Sequence, residues 1–239
     1  MKNTDTTKKI SGLNPVTLNE LLTKYSNESK ISKWDVGASS SRDVSVQVQK
    51  GNAKQLKGSQ RNSMTLRVWN NKNQVGITST SDLTNEGIRK AMKGAIEAST
   101  FGNIKEAPEF SSLAKLPIKE LNIQQKNSNH RIDELLTILK NAEKQLIDSH
   151  SSIDSVPYNG LSESHMERIY LNSDGANRYM KLDQTSIYLY AKSQEDNKKP
   201  RSAGGIRVNT SLEQLDIESC IEETSKKLIS HLNYKAIET

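Results

Sequence analysis

The sequence is poor in cysteine and contains no long apolar run. Cys220 is the single cysteine in 239 residues, which excludes an internal disulfide and is typical of a reducing compartment. No segment approaches the roughly eighteen consecutive apolar residues of a membrane-spanning helix. The amino-terminal residues also lack the apolar core of a signal peptide. We therefore expect a cytoplasmic protein in which Cys220 is a small core residue on the last helix.

The sequence also lacks the common motifs of catalytic and cofactor sites. It contains no Gly-x-Ser-x-Gly, no phosphate-binding loop, no dinucleotide-binding motif and no His-Glu-x-x-His or His-Glu-x-x-x-His. His165 and Glu167 would share one face of a strand, but two ligands without a third are more often an ordinary exposed pair. The sequence therefore predicts no catalytic, cofactor-binding or metal-binding residue on this chain. No two of its four histidines are three or four residues apart: His130, His150, His165 and His231.

Positive charge is in modest excess. The 34 lysines and arginines against 28 acidic residues give a net charge of +6, which favours acidic partners but is also common on solvated surfaces. Only Trp69 lies close enough to the basic strand residues to stack on bases. A stand-alone nucleic-acid-binding module is therefore the alternative interpretation. It would use basic side chains that could line one sheet face and contact phosphates: Lys50, Lys54, Lys57, Arg61 and Arg67.

The sequence does contain an internal repeat. At an offset of 129 residues, Gly76-Ile77 aligns with Gly205-Ile206 and Ile88 with Ile217, without a gap. Upstream, an offset of 121 aligns residues 65–69 with 186–190, so the second copy has a loop that is eight residues longer. Each copy has strands followed by a helix. The sequence therefore predicts an α+β fold of duplicated antiparallel β-hairpin/sheet plus helix units, without a single special pocket.

Hydrophobic periodicity and turn residues place the elements of both copies. Asp174-Gly175 predicts a type I′ turn between two strands of the second copy. The connection Ser39-Ser40-Ser41 and the turn at Lys50-Gly51-Asn52 flank the first predicted strand. The first copy is predicted to have a helix at 15–27, strands at 44–48, 53–61, 64–68 and 74–80, and a helix after Thr84 with Ile88, Ala91, Met92, Ala95 and Ile96 buried. The second is predicted to have a helix at 131–149 with an apolar face from Ile132 to Leu146, strands at 161–173, 176–190 and 203–209, a loop at 192–202, and a helix carrying Ile217 and Cys220.

These elements predict a simple domain organisation. We expect a disordered tail at 1–14, followed by one domain over 15–239. Its first repeat spans about 34–101, a linker spans 102–129, and a helix with the second repeat spans about 130–233. Gly205 is expected to share a role at the start of its strand with Gly76, and this explains Ser202-Ala203-Gly204-Gly205 better than an anion-binding turn.

Two segments carry a resemblance to a known family. The stretch from Trp34-Asp35-Val36 to Gly102, above all residues 75–84, resembles the N-terminal domain of the PmbA/TldD family. Residues 171–175 resemble the Asn-Ser-Asp/Asn-Gly hairpin of that family. The order of elements agrees from about residue 15 onwards. The chain is more similar to the PmbA branch, also called TldE, than to the TldD branch.

The resemblance implies a function for the chain. Members of the family form TldD/TldE heterodimers that act as metallopeptidases on unfolded or modified peptides, and older names call them modulators of DNA gyrase. The metal motif, His-Glu-x-x-x-His with a later cysteine, belongs to the C-terminal half of TldD, and the PmbA branch lacks it. The resemblance thus implies a noncatalytic N-terminal portion of a PmbA/TldE-type subunit, without the family's C-terminal domain. Its partners would be a TldD-like subunit, which holds the zinc, and a peptide substrate.

Overall fold

The computed structural model describes residues 14–29, 31–104, 109–115, 130–196 and 198–233. Apart from Asn14, the predicted tail lies outside the described residues, as does most of the predicted linker. Within these ranges, six strands form one antiparallel sheet in the order β3-β2-β1-β4-β5-β6, and four α-helices accompany it. The predicted α+β class is confirmed. The helices are α1 (Pro15–Glu28), α2 (Asn85–Ser99), α3 (Ile132–Asp148) and α4 (Ile217–Ser230), and the strands are β1 (Ile31–Gln49), β2 (Asn52–Asn70), β3 (Val75–Thr80), β4 (Ile153–Asn172), β5 (Asn177–Ser193) and β6 (Arg201–Asn209).

The internal repeat is visible in the strand register. Val68 pairs with Gly76 in the first copy, and Leu189 pairs with Gly205 in the second. These are the residues that the two sequence offsets align. Each copy runs helix, hairpin, third strand, helix. The predicted duplication is therefore present in the backbone hydrogen bonding as well as in the sequence.

The predicted division of the first copy into four strands was wrong. Residues 53–68 belong to one continuous strand, β2, which lies between β1 and β3. The polar connection predicted at Ser39-Ser40-Ser41 lies inside β1. Two of its hydroxyl groups have partners on β2: Ser40 donates to Asn62 Oδ1 at 2.8 Å, and the Ser39 hydroxyl lies 3.0 Å from that of Ser63. Cross-strand partners therefore allow a polar segment to remain extended.

The type I′ turn lies in the first hairpin, where both central residues have positive φ. Lys50 has φ 51° and Gly51 has φ 73°, as this turn type requires. In the second hairpin only Gly175 has positive φ, at 95°, so the turn predicted there is at the right place but of the wrong type. The Asn172 side chain shapes it instead, because its Oδ1 accepts from the amides of Asp174 at 3.1 Å and Ala176 at 2.9 Å.

The chain folds into two compact units, and neither coincides with one repeat. Unit 1 comprises Met1–Ser41, Gln60–Asn122 and Met166–Lys181. Unit 2 comprises Arg42–Ser59, Ile123–His165 and Leu182–Thr239. Each of β1, β2, β4 and β5 begins in one unit and ends in the other. Each unit therefore contains the turn end of the other repeat's hairpin.

Each unit has its own hydrophobic core. In unit 1, α1 and α2 pack together and α2 packs on β3; in unit 2, α3 and α4 pack together and α4 packs on β6. The core of unit 1 includes Leu18, Leu22, Trp34, Val36, Met64, Leu66, Val68, Ile88, Met92, Ile169 and Leu171. The core of unit 2 includes Val46, Val48, Leu135, Leu139, Leu146, Leu161, Ile187, Leu189, Ile221 and Leu228.

The predicted helix faces are largely correct. Thr84 caps α2 by accepting from the amide of Gly87 at 3.1 Å, and the predicted stripe of α2 is buried except for Ile96, which is half-buried. Ile132 on α3 is more exposed than predicted.

Cys220 is fully buried, and this burial raises the pKa of its thiol. Among the described residues, no helix has the length and apolar character needed to cross a membrane.

A buried carboxylate on α3 holds the first hairpin turn in unit 2. Glu143 is only 3% exposed. Its two oxygens accept from the amides of Lys50 at 3.1 Å and Gly51 at 2.7 Å. Charge-assisted hydrogen bonds of this kind are stronger than neutral ones. Glu143 therefore fixes the end of this hairpin against the helix.

Candidate binding surface

The strands of each unit have one face covered by helices and a second face with a different composition. Side chains alternate between the two faces of a strand, so buried Ile187 and Leu189 alternate with exposed Tyr188 and Tyr190. We call the face opposite the helices the open face of each unit. The open faces carry polar, charged and aromatic side chains, and they are the candidate binding surfaces of the molecule.

An ion pair between a buried carboxylate and an exposed guanidinium organises the open face of unit 1. Asp35 is 3% exposed, and both of its oxygens accept from the guanidinium of Arg67, from Nε at 2.8 Å and from Nη2. The Tyr170 hydroxyl lies 3.5 Å from the same carboxylate. The hydrogen bond to Asp35 raises the pKa of Arg67. The negative charge of Asp35 is thus already balanced within the fold.

An open groove of about 560 Å³ lies beside this pair. Arg168 and Arg178 contribute the positive charge of its walls. Arg168 is exposed, and its Nε donates to the sulfur of Met166 at 3.1 Å. Arg178 donates to the carbonyl oxygens of Asn177 at 3.1 Å and Leu113 at 3.0 Å. The groove is lined mainly by Gly37, Ser39, Arg168, Tyr170, Arg178 and Met180.

The described part of the predicted linker contacts the open face of unit 1. The Phe110 ring meets the Trp69 ring edge-on at 6.0 Å between centroids, and Lys33 Nζ lies 5.3 Å from the Phe110 centroid. Leu113 lies in the short 3-10 helix Ser112–Lys115. These contacts attach residues 109–115 next to β1 and β2, and the Arg178 bond to Leu113 attaches them to β5 as well.

The open face of unit 2 is rich in tyrosine. The Tyr158 and Tyr190 rings pack edge-on at 5.9 Å, and Lys54 Nζ lies 5.9 Å from the Tyr158 centroid. The Tyr188 ring lies over Gly160, where a Cβ atom would approach within 2.4 Å of the ring. Because Gly160 has no side chain, the Tyr188 ring can lie across it, and the Tyr188 hydroxyl accepts from Gln47 Nε2 at 2.9 Å. We call the exposed set Tyr158, Tyr188, Tyr190, Ile206 and Val208 the tyrosine patch.

The structure gives three of the histidines nearby polar partners. His130 Nδ1 lies 2.7 Å from Oε1 of Glu163, which is buried, and His165 Nδ1 lies 2.9 Å from Asp183 Oδ1. His150 contacts the hydroxyl of Ser152 at 2.7 Å. The histidine pairs therefore hold local structure together, as buried or half-buried polar pairs commonly do.

His165 and Glu167 form separate pairs, since Glu167 lies 3.5 Å from Lys181 Nζ. In the ranges that the structure describes, no three His, Cys, Asp or Glu side chains converge as metal ligands. A catalytic zinc requires three protein ligands, so the described donor sets do not fit one. That the whole chain carries no metal ligand stays a prediction.

The basic residues singled out in the sequence do not act as one group. Arg67 is neutralised by Asp35, and Lys54 donates to the carbonyl oxygen of Pro157 at 3.4 Å besides contacting Tyr158. Lys50 occupies the positive-φ position of its turn. Sequence reasoning missed Arg168, Arg178 and the tyrosine patch. The apolar residues on both faces of residues 186–190 were the available signal, since a strand exposed on one side normally alternates with polar residues.

Two family models match the chain. Residues 34–99 match the model described as PmbA/TldA metallopeptidase domain 1, and residues 125–232 match the PmbA/TldA metallopeptidase central domain. Together the matches cover well over half of the 239 residues. The chain belongs to the PmbA/TldD family. Comparison with curated protein sequences gives no match.

Solved structures of similar fold include TldE from Thermococcus kodakarensis, with 16% identity and a TM-score of 0.74 over 89% of this chain and 47% of that one. A protein from Thermotoga maritima that carries the name modulator of DNA gyrase matches with 16% identity and a TM-score of 0.72, over 94% of this chain and 50% of that one. Another, from Bacteroides thetaiotaomicron, matches with 14% identity and a TM-score of 0.76, over 93% and 51%. This chain spans about half the length of these proteins, and the matches show a shared fold.

Proposed function

We propose that this chain is a noncatalytic part of a PmbA/TldE-type subunit that encloses peptide together with a TldD-like partner. The partner would hold the zinc and cleave unfolded or modified peptides. The tyrosine patch is the observation that carries this proposal. Exposed aromatic and branched apolar residues grouped on one surface are typical of protein interaction sites, and the described residues offer no set of metal ligands beside them.

The sheet provides a second feature suited to this role. β3 and β6 are its outermost strands. Outer strands present backbone amide and carbonyl groups that can hold an extended peptide with little side-chain selectivity. The same groups promote self-association when nothing covers them. A chain that works only when docked would therefore behave differently alone and with its partner.

Co-expression with a TldD-like subunit tests the proposal. We expect the chain alone to be oligomeric or prone to aggregation by light scattering, and to become monodisperse with the partner. Replacing Tyr188 and Ile206 with serine should weaken capture of the partner on the order of tenfold, as expected for central apolar contacts. Phe101→Ser is the matched control, because Phe101 is 91% exposed outside the patch.

The opposite results would contradict the proposal. A chain that stays monomeric at high concentration and ignores the partner would be an independent module. Steeply salt-dependent binding of DNA by that monomer would favour the nucleic-acid alternative, because phosphate contacts release counterions. One tightly held zinc per chain in a dialysed sample would contradict the assignment of the metal to the partner.

A further inference from the structure

The charges around the groove of unit 1 do not balance. Asp35 contributes one negative charge, and Arg67 neutralises it through two hydrogen bonds. Arg168 and Arg178 remain. Within the described residues, neither has a carboxylate partner. The groove walls therefore carry two positive charges that have no carboxylate partner in the part of the chain that the structure describes.

The two arginines differ in what they can offer a ligand. Arg178 is held in place by two backbone carbonyl oxygens, so it contributes charge from a fixed position. Arg168 uses one donor on the weak sulfur acceptor of Met166. A guanidinium has five donors in a fork that matches a carboxylate. Arg168 thus has free donors beside a positioned second charge.

The groove also has room for a side chain or a chain end. Its volume of about 560 Å³ is within the range of ordinary ligand sites. Gly37 contributes to this space, because a Cβ atom built there would meet nothing within 4 Å. Met180 is 46% exposed and offers an apolar wall. A carboxylate on a short aliphatic stem fits these surroundings.

We propose that this groove is a subsite for a carboxylate of an extended peptide, bound by Arg168 beside Arg178. The inference rests on the proposed function only for the choice of a peptide as ligand. A nucleic acid fits less well, because its affinity requires many phosphate contacts.

Fluorescence anisotropy on the whole chain, without a partner, tests the proposal. The probe is a short labelled peptide of alternating glutamate and valine. Three matched peptides carry glutamine for glutamate, an amidated C-terminus, or both changes, and a single-stranded oligothymidine is the fourth comparison. We expect the acidic peptide to bind, more weakly at high salt. Loss of binding with glutamine would place a side-chain carboxylate in the groove, and loss with the amide would place the chain end there.

Four substitutions locate the binding. Arg168→Gln should weaken peptide affinity on the order of tenfold, as for a lost charge-assisted contact, and Arg168→Lys should restore part of it. Gly37→Val should weaken binding by filling the groove while the strand stays folded, since valine suits a strand. Arg61→Gln removes the same charge from an exposed β2 residue outside the groove lining and should leave the affinity unchanged.

Several results would overturn the proposal. These are failure of the acidic peptide to bind, equal binding of the peptide that lacks all carboxylates, and an Arg168→Gln chain that binds like the wild type. Tighter binding of oligothymidine, sensitive to the same substitutions, would assign the groove to phosphate instead. A chain that captures a TldD-like partner but binds no acidic peptide would fail here and leave the proposed function standing.

Discussion

At the scale of single residues, two equivalent glycines allow a helix to pack closely on a strand in both repeats. A Cβ atom at Gly76 would lie 1.9 Å from the carbonyl oxygen of Ala95 on α2, whereas one at Gly205 would lie 2.7 Å from the Thr224 hydroxyl on α4. The first contact is with backbone at very short range, whereas the second is with a side-chain hydroxyl, and the nearest backbone atom to a Cβ at Gly205 is the Cys220 oxygen at 3.2 Å. A side chain at this position should therefore disturb the packing more at Gly76 in the first repeat than at Gly205 in the second.

Alanine at these positions should produce graded effects. Gly76→Ala should destabilise by about 3 kcal/mol or more and Gly205→Ala by about 1–3 kcal/mol, because overpacking displaces neighbours. Gly37→Ala is the control and should stabilise by about 0.4–1 kcal/mol, since its site is open. Urea unfolding measures all three. Equal losses at Gly76 and Gly37 would contradict the close approach.

A second residue-level feature gives a pH dependence before α2. The Asp82 carboxylate accepts from the hydroxyl of Thr84 at 2.7 Å and from its amide at 3.0 Å. The hydroxyl bond, followed by the amide bond, lowers the pKa of Asp82. A carboxyl with a lowered folded-state pKa stabilises the fold above its ordinary pKa. That stabilisation is lost as the pH falls through the lowered value.

Asp82→Ala should therefore lower the Tm at neutral pH, and the difference from wild type should shrink as the pH falls below about 4. Thermal unfolding across this range measures the effect. Asp196→Ala is the control, because the exposed Asp196 side chain has no hydrogen bond among the described contacts. A difference that stays constant down to acid pH would show that the Asp82 charge is irrelevant.

At the scale of elements, the equivalent helices α2 and α4 differ in how deeply their first apolar residue is buried. Ile88 is 5% exposed, whereas Ile217 is half-buried at the start of α4. Ile88→Ala should cost about 2–5 kcal/mol, and Ile217→Ala less than about 2 kcal/mol, because less surface and no full cavity are involved. Chemical denaturation of both variants measures the difference. Equal costs would mean that α4 packs as deeply as α2.

The elements also show what the sequence could predict. Most of the helix faces and the Thr84 cap follow from local periodicity and were predicted correctly, whereas Gly205, expected at the start of its strand, lies in the middle of β6. The length of β2 could not be predicted. The residues of its polar half have no pattern typical of one long strand, and pairing with neighbouring strands keeps them in the extended conformation. The Asp174-Gly175 turn type was wrong because the Asn172 side chain, two residues away, decides it. To predict that Arg168 and Arg178 line one groove, one would have to know that β4 and β5 are neighbouring strands.

At the scale of the whole molecule, neither repeat contains a complete unit. Val46 and Val48 of the first hairpin lie in the core of unit 2, and Ile169 and Leu171 of the second lie in the core of unit 1. Separate fragments 14–104 and 130–233 should therefore lack stable tertiary structure alone and regain it when mixed. Near-UV circular dichroism and thermal melting measure this. A fragment that unfolds cooperatively alone would contradict it.

The shared hairpin ends also bear on how such a chain could arise. A gene encoding one repeat would have made a protein that completed its core only by borrowing a hairpin end from a second molecule. Such a protein would have folded as a pair, with a stability that depended on its concentration. Joining two such copies in one reading frame would replace that encounter with a tethered one of fixed, high effective concentration. The two copies could then diverge in sequence while keeping the strand register that they share.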